Sequence, residues 1–225
     1  MNKYLYISIF LFGCLAFILP NRYYPWLSAH HEFSIYFLFL LVFSILLIKK
    51  YKMFLDKKII IVFLISCIPL VQYLFGKVYF FGDALIAFIY IFGFACVITF
   101  GFNLTQNDNK KQILKFISFI FIFSALISSY IMLKQWLIIT NDSIWIIEVP
   151  HNRPFANFAQ PNNCATFLIL SIMATLYLFE EKILNSMTGI ALSCLFLFCL
   201  ALTQSRSAWV FIICFIIWWY WKSSY

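Results

Sequence analysis

Charge is scarce in this sequence. Only 11% of its 225 residues are Asp, Glu, Lys or Arg, and 64% are hydrophobic. A soluble domain carries about 25% charged and 45–50% apolar residues. That shortage excludes a water-soluble globule, whose surface needs more polar cover than this chain supplies. Dyad alternation of apolar and polar residues is also lacking, which sets aside a membrane β-barrel. The seven cysteines (Cys14, Cys67, Cys96, Cys164, Cys194, Cys199, Cys214) form no CxxC pair and no extracellular framework spacing. They read as small packing residues within apolar runs. No metal-ligand cluster is present. No internal repeat and no low-complexity linker divides the chain, so residues 1–225 are expected to form a single membrane domain.

Long apolar runs are what the chain has in abundance. In hydrocarbon each run must satisfy its own backbone, which makes it a helix, and a span takes about 20 residues. The fold expected is all-α, a polytopic transmembrane helical bundle of about eight spans near 4–20, 33–48, 59–75, 84–102, 116–139, 164–179, 187–203 and 207–221. The first run follows Lys3 in the manner of a signal peptide. Ser28-Ala29 is a poor cleavage site, however, and an uncleaved first helix is expected.

A net charge of +8 raises the question of nucleic acid, and the placement of the charge answers it. Lysines cluster between apolar runs, at Lys49, Lys50, Lys52, Lys57 and Lys58 and again at Lys110, Lys111 and Lys115. Positive loops stay cytoplasmic. Both clusters and both termini are therefore expected inside a bacterial inner membrane, with loops 21–32, 76–83, 140–163 and 204–206 facing out. Tyr23, Tyr24, Trp26, Trp136, Trp145, Trp218, Trp219 and Trp221 fall near span ends, as an aromatic belt does. The chain has thirteen Lys and only three Arg, and Arg22, Arg153 and Arg206 all fall on the outward side. A guanidinium grips phosphate through a planar two-bond fork and never deprotonates. The outward arginines thus read either as an anion site or as anchors in lipid headgroups.

The longest outward loop, 140–163, ends in His151-Asn152-Arg153-Pro154-Phe155-Ala156-Asn157-Phe158-Ala159-Gln160-Pro161-Asn162-Asn163. Pro154 and Pro161 remove donors and bias their predecessors away from helix, which predicts a fixed, extended loop. Asn162 and Asn163 stand where a span begins and are expected as N-caps. A helix N-terminus beside an arginine suits an anion. Asn157, Gln160 and Asn162 each offer a donor and an acceptor to sugar hydroxyls. An ordinary capped loop leading into a span is the plain alternative.

Arg153 to Asn163, followed by Ala165-Thr166-Phe167-Leu168, resembles the signature of bacterial protein O-oligosaccharyltransferases of the pilin-glycosylating type, within the O-antigen ligase and polymerase superfamily. Pro25-Trp26 with Glu32, Gly82-Asp83-Ala84, and Leu202-Thr203-Gln204-Ser205-Arg206-Ser207 agree with it in order. The resemblance implies transfer of an oligosaccharide from a polyprenyl-diphosphate carrier, on the periplasmic face, to a Ser or Thr of a protein such as a pilin. In the ligase branch lipid A core sugar takes the protein's place, and in the polymerase branch a glycan repeat unit does. No cofactor or metal is implied. Arg153 and Arg206 would hold the diphosphate. The signature loop (151–168), through Pro154, Asn157, Gln160, Pro161, Asn162 and Asn163, would shape the donor pocket. Asp83 and Ser205 are second-rank candidates, Asp83 as a partner orienting an Arg.

Departures accompany the matches. Members of the family carry, after further spans, a large outward loop with a His implicated in catalysis. Here the chain stops at Tyr225, and His30, His31 and His151 do not match that residue. Gly is commoner where Ala156 stands, and Cys164 also departs from the pattern. The chain is therefore expected to be the N-terminal part of such an enzyme, truncated or split. Two readings of another class remain. One is a non-catalytic remnant or partner subunit. The other is a small lipid permease, which would favour charge at span centres that these spans lack. The sequons at Asn103 and Asn141 are read as coincidence.

Overall fold

The computed structural model describes residues 3–20, 28–107, 109–139, 146, 147, 149 and 153–223. Among the described residues there are nine helices and no strand. They are α1 (Lys3–Ile18), α2 (Ala29–Ile48), α3 (Lys57–Ser66), α4 (Ile68–Leu74), α5 (Phe81–Asn107), α6 (Lys110–Trp136), α7 (Pro161–Glu180), α8 (Ser186–Leu202) and α9 (Arg206–Ser223). The all-helical expectation is borne out. Eight apolar runs become nine helices because the third breaks at Cys67. Pro69 lies in the first turn of α4, where it lacks an N–H and its ring opposes the carbonyl four residues earlier. Five helical segments are long and apolar enough to cross a bilayer: Ala29–Ile48, Lys57–Leu74, Phe81–Asn107, Lys110–Trp136 and Pro161–Glu180. Among the described residues three further apolar helical stretches, Tyr4–Ile18, Ser186–Leu202 and Ala208–Ile217, are shorter. Helix length among the described residues supports five spans, and the three shorter apolar helices fall in the remaining runs of the eight expected.

The chain divides into two compact units, Met1–Leu38 with Leu114–Tyr225, and Phe39–Ile113. In the first, α6 and α7 are the inner helices, with half of each span buried. Small residues are prominent among those the two helices bury. Ser124, Ala125, Ser128, Ala165 and Ser171 are all buried, and such residues let helix backbones approach closely where lipid offers no hydrophobic drive. Gly13 of α1 packs against α6, where a Cβ would lie 2.9 Å from the Ile120 side chain. Phe167 is the aromatic hub of this unit. Its ring centroid lies 4.7 Å from Phe17, 5.8 Å from Phe121 and 5.0 Å from Phe158. Phe196, Cys199 and Leu200 of α8 and Ala208 of α9 complete the core. Near the start of α6, Lys115 pairs with Glu181 at 3.0 Å, tying α6 to the end of α7.

In the second unit α3 and α4 pack along α5. Asp56 caps α3, accepting from the Lys58 backbone N–H at 2.7 Å. The outward faces of both units are apolar: Leu40, Ile61, Phe94, Val210 and Ile217 are each more than half exposed. That arrangement suits lipid as the surrounding solvent. The seven cysteines are free; Cys14, Cys164 and Cys199 are buried as packing residues, while Cys67, Cys194 and Cys214 are exposed.

Candidate functional site

The signature loop is set by a residue outside it. Gln135, buried near the end of α6, donates through Nε2 to the carbonyls of Ile147 (2.9 Å) and Ala156 (2.7 Å). Its Oε1 accepts from the N–H groups of Phe155 (3.1 Å) and Ala156 (2.9 Å). One amide therefore reads both polar groups of Ala156. The loop turns at this point instead of running extended, and the Phe158 N–H reaches back to the Phe155 carbonyl at 3.1 Å. Ala156 takes a φ of +52°, a left-handed conformation that glycine adopts without a Cβ penalty. Glycine, expected at this place from the resemblance, would take that conformation without strain. Pro154 and Asn157 are buried, and Asn157 Nδ2 donates to the Ile18 carbonyl at 2.7 Å, closing the C-terminal end of α1 onto the loop.

Helix α7 starts at Pro161, and its N-cap is Gln160 in an extended conformation, with no side-chain cap bond. This corrects the expectation that Asn162 and Asn163 cap the helix. Both lie inside its first turn and are exposed, as is Gln160. A proline at the first helical position lacks the N–H that a cap would have to satisfy, and that fixes the start one residue before the asparagines.

Arg153 bridges to the α8–α9 turn. Its Nε and Nη2 donate to the Thr203 carbonyl at 3.1 and 2.9 Å, and Nη2 reaches the Gln204 carbonyl at 3.3 Å. These carbonyls end α8, where the helix dipole favours a cation. Gln204 adopts a φ of +53°, as a residue just past a helix C-cap does. Thr203 closes the turn by donating to the Leu200 carbonyl (2.7 Å) and accepting from the Ser205 N–H (3.3 Å). Ser205 is buried, while Arg206, the first residue of α9, is exposed.

The structure therefore sorts the site residues predicted from sequence. Pro154, Asn157 and Ser205 are buried supports. Arg153 is half-buried and spends its fork on backbone carbonyls. Gln160, Asn162, Asn163 and Arg206 are accessible. The loop 153–160 and the turn 203–206 meet through Arg153, within one unit. Asp83 lies in the other unit, exposed in the first turn of α5. In the first unit the His31 ring donates from Nδ1 to the Ala16 carbonyl at 2.8 Å, and Ser28 donates to Glu32 Oε1 at 2.5 Å. Arg22, Pro25, Trp26, Asn141, Trp145, His151 and Asn152 lie outside the described residues. Sequence reasoning missed Gln135. Its signal was an uncharged polar residue within a long apolar run, at the end nearest the loop.

A family model described as protein glycosylation ligase matches residues 154–179, from Pro154 through the signature loop and nearly the whole of α7. The resemblance to the protein O-oligosaccharyltransferases is borne out. A general O-oligosaccharyltransferase of Acinetobacter baylyi is 34% identical over 210 residues, which is 93% of this chain and 37% of the relative. A ComP-specific O-oligosaccharyltransferase of the same organism is 30% identical over 220 residues, 95% of this chain and 39% of the relative. The chain thus spans less than two fifths of the length of these O-oligosaccharyltransferases. No solved structure matches it. Within the ligase match lie Pro154, Ala156, Asn157, Gln160, Pro161, Asn162 and Asn163, whereas Arg153, Arg206 and Gln135 fall outside it.

Proposed function

We propose that this chain supplies the donor-binding part of a protein O-oligosaccharyltransferase of the bacterial inner membrane, with both termini cytoplasmic. The reaction passes an oligosaccharide from a polyprenyl diphosphate to a Ser or Thr hydroxyl of an acceptor protein such as a pilin, on the periplasmic face. The observation that carries the reading is the bridge of Arg153 from the signature loop to the turn bearing Arg206. The unit that holds this bridge also holds the exposed Arg206 and the exposed amides Gln160, Asn162 and Asn163.

The chemistry asks for such an arrangement. As the sugar leaves, negative charge grows on the lipid diphosphate, and cations fixed in advance stabilise it without reorganisation. Arg206 provides an accessible fork for that charge. Arg153 adds its own charge while it fixes the turn, and the uncapped start of α7 adds the positive end of a helix dipole. The three amides suit the hydroxyls of the first sugar.

The test is a chimera in which this chain replaces the matching segment of the general O-oligosaccharyltransferase of A. baylyi, assayed for glycosylation of that enzyme's own acceptor. Transfer is expected from the chimera. Arg206→Lys is expected to lower it by about tenfold or more, since a point charge does not replace the fork. Lys222→Ala, at the other end of α9, leaves it unchanged. An active chimera in which Arg206→Lys matches the parent removes Arg206 from the site. An inactive but membrane-inserted chimera favours the non-catalytic reading.

A further inference from the structure

Residues Lys49-Lys50-Tyr51-Lys52-Met53-Phe54-Leu55-Asp56-Lys57-Lys58 join α2 to α3 within the second unit, and nothing in the signature-loop site uses them. A connection this polar at its ends would ordinarily be loosely held. Here it is clamped. Asn103 of α5, fully buried, accepts from the Phe54 N–H at 2.6 Å and donates to the Phe54 carbonyl at 2.9 Å. The same Nδ2 also donates to the Thr99 carbonyl at 2.8 Å, so the amide is fixed by its own helix. With its backbone pinned, the loop turns three apolar side chains outward: Met53, Phe54 and Leu55 are 47%, 51% and 54% exposed.

On either side of that apolar tip stand Lys50 and Lys52, then Lys57 and Lys58, all exposed and without a carboxylate partner among the described residues. The one acid of the segment, Asp56, is engaged as the cap of α3. Lys49 lies over the Tyr51 ring at 5.0 Å. Between the loop and α5 opens a recess of about 360 Å³ lined by Phe54, Leu55, Asp56, Phe102 and Gln106. A rigid apolar tip between unpaired ammonium groups matches a ligand with hydrocarbon at one end and phosphate at the other.

The geometry points to a site for an anionic phospholipid on loop 49–58. Its headgroup phosphate lies among Lys50, Lys52, Lys57 and Lys58, and its acyl chains lie against Met53, Phe54 and Leu55. Lysines close to an anionic lipid surface each contribute up to about fivefold in affinity. The Asn103 clamp adds what a loose basic flank lacks, because side chains on a fixed backbone lose less freedom on binding. The site is independent of any transferase reading.

The test uses the protein reconstituted with equal amounts of phosphatidylglycerol and phosphatidylcholine, extracted into mild detergent, with retained lipids counted by native mass spectrometry. The wild-type chain is expected to retain phosphatidylglycerol in preference. The exposed-lysine variant K50Q/K52Q/K57Q/K58Q is expected to lose that preference. K110Q/K111Q, which removes lysines from the start of α6, is expected to keep it. The surface variant F54S/L55S is expected to weaken retention of phosphatidylglycerol with the lysines intact. Absence of preference in the wild type, or its survival in the quadruple variant, overturns the site. An equal loss in K110Q/K111Q shows that any basic cluster suffices and overturns it as well.

Discussion

Because the Gln135 amide alone pairs two carbonyls and two N–H groups of the strand of chain around the loop turn, replacing it leaves several buried backbone groups unsatisfied at once. Gln135→Leu is expected to cost at least about 2 kcal/mol, read as a lower midpoint in thermal or chemical unfolding. An unchanged midpoint would mean that packing alone holds the loop. Ala156 shows the opposite sign. Its φ of +52° makes Ala156→Gly stabilising by about 1 kcal/mol, the left-handed cost of a Cβ, measured in the same assay; destabilisation would place the strain elsewhere. Neither role was legible in the sequence. Gln135 meets its main partners 20 and 21 residues away, and no local pattern announces such a contact. The bridge from Arg153 to Thr203 spans 50 residues in the same way. Asn103 carries a sequon in sequence, yet its amide is consumed by Phe54 and Thr99 in a buried position.

Among the elements, the third apolar run is the instructive one. A hydropathy reading sees one span, while the chain makes α3 and α4, with the Cys67 N–H closing onto Leu64 and Ile65 carbonyls. Pro69→Ala restores the missing donor and removes the ring clash, worth about 3 kcal/mol within a helix. One continuous helix is expected over 57–74, with amides near the junction more protected in hydrogen exchange; unchanged protection would mean that packing on α5 sets the break. Helix α7 shows how a start is chosen. The asparagines are good caps by type, but Pro161 already occupies the first helical position and leaves Gln160 as the cap. Phe167 binds this helix to α1, α6 and the loop through its three ring contacts. Phe167→Ala is expected to cost about 3–5 kcal/mol, again read from unfolding, and a loss near zero would remove it as the hub.

For the whole molecule, the sidedness inferred from lysine placement leads to a direct test. Single cysteines introduced into a cysteine-free background are expected to react from outside the cell at accessible positions of 153–163, such as Gln160 and Asn163. Those at 107–112 are expected to react only after permeabilisation. Labelling of both sets from one side would reverse the assignment of the site to the periplasmic face. The test also bears on the lysine loop, since Lys49 to Lys58 and Lys110 to Lys115 are assigned to the same side by the same rule.

The sequence by itself determined the class of the molecule: apolar runs with charge only between them leave helices in lipid as the available fold, because solvent acts on composition and run length alone. It also marked the segment that matches the glycosylation ligases, since that segment is contiguous. Tertiary structure decided which marked residues support the loop and which stay accessible. Pro154, Asn157 and Ser205 have the same local chemistry as exposed loop residues, and they differ only in what folds over them. It likewise decided that Arg153 grips the α8–α9 turn and that Gln135 and Asn103 each hold a loop in place. Those outcomes depend on backbone groups brought together across tens of residues, where packing chooses the partner and sequence spacing carries no information.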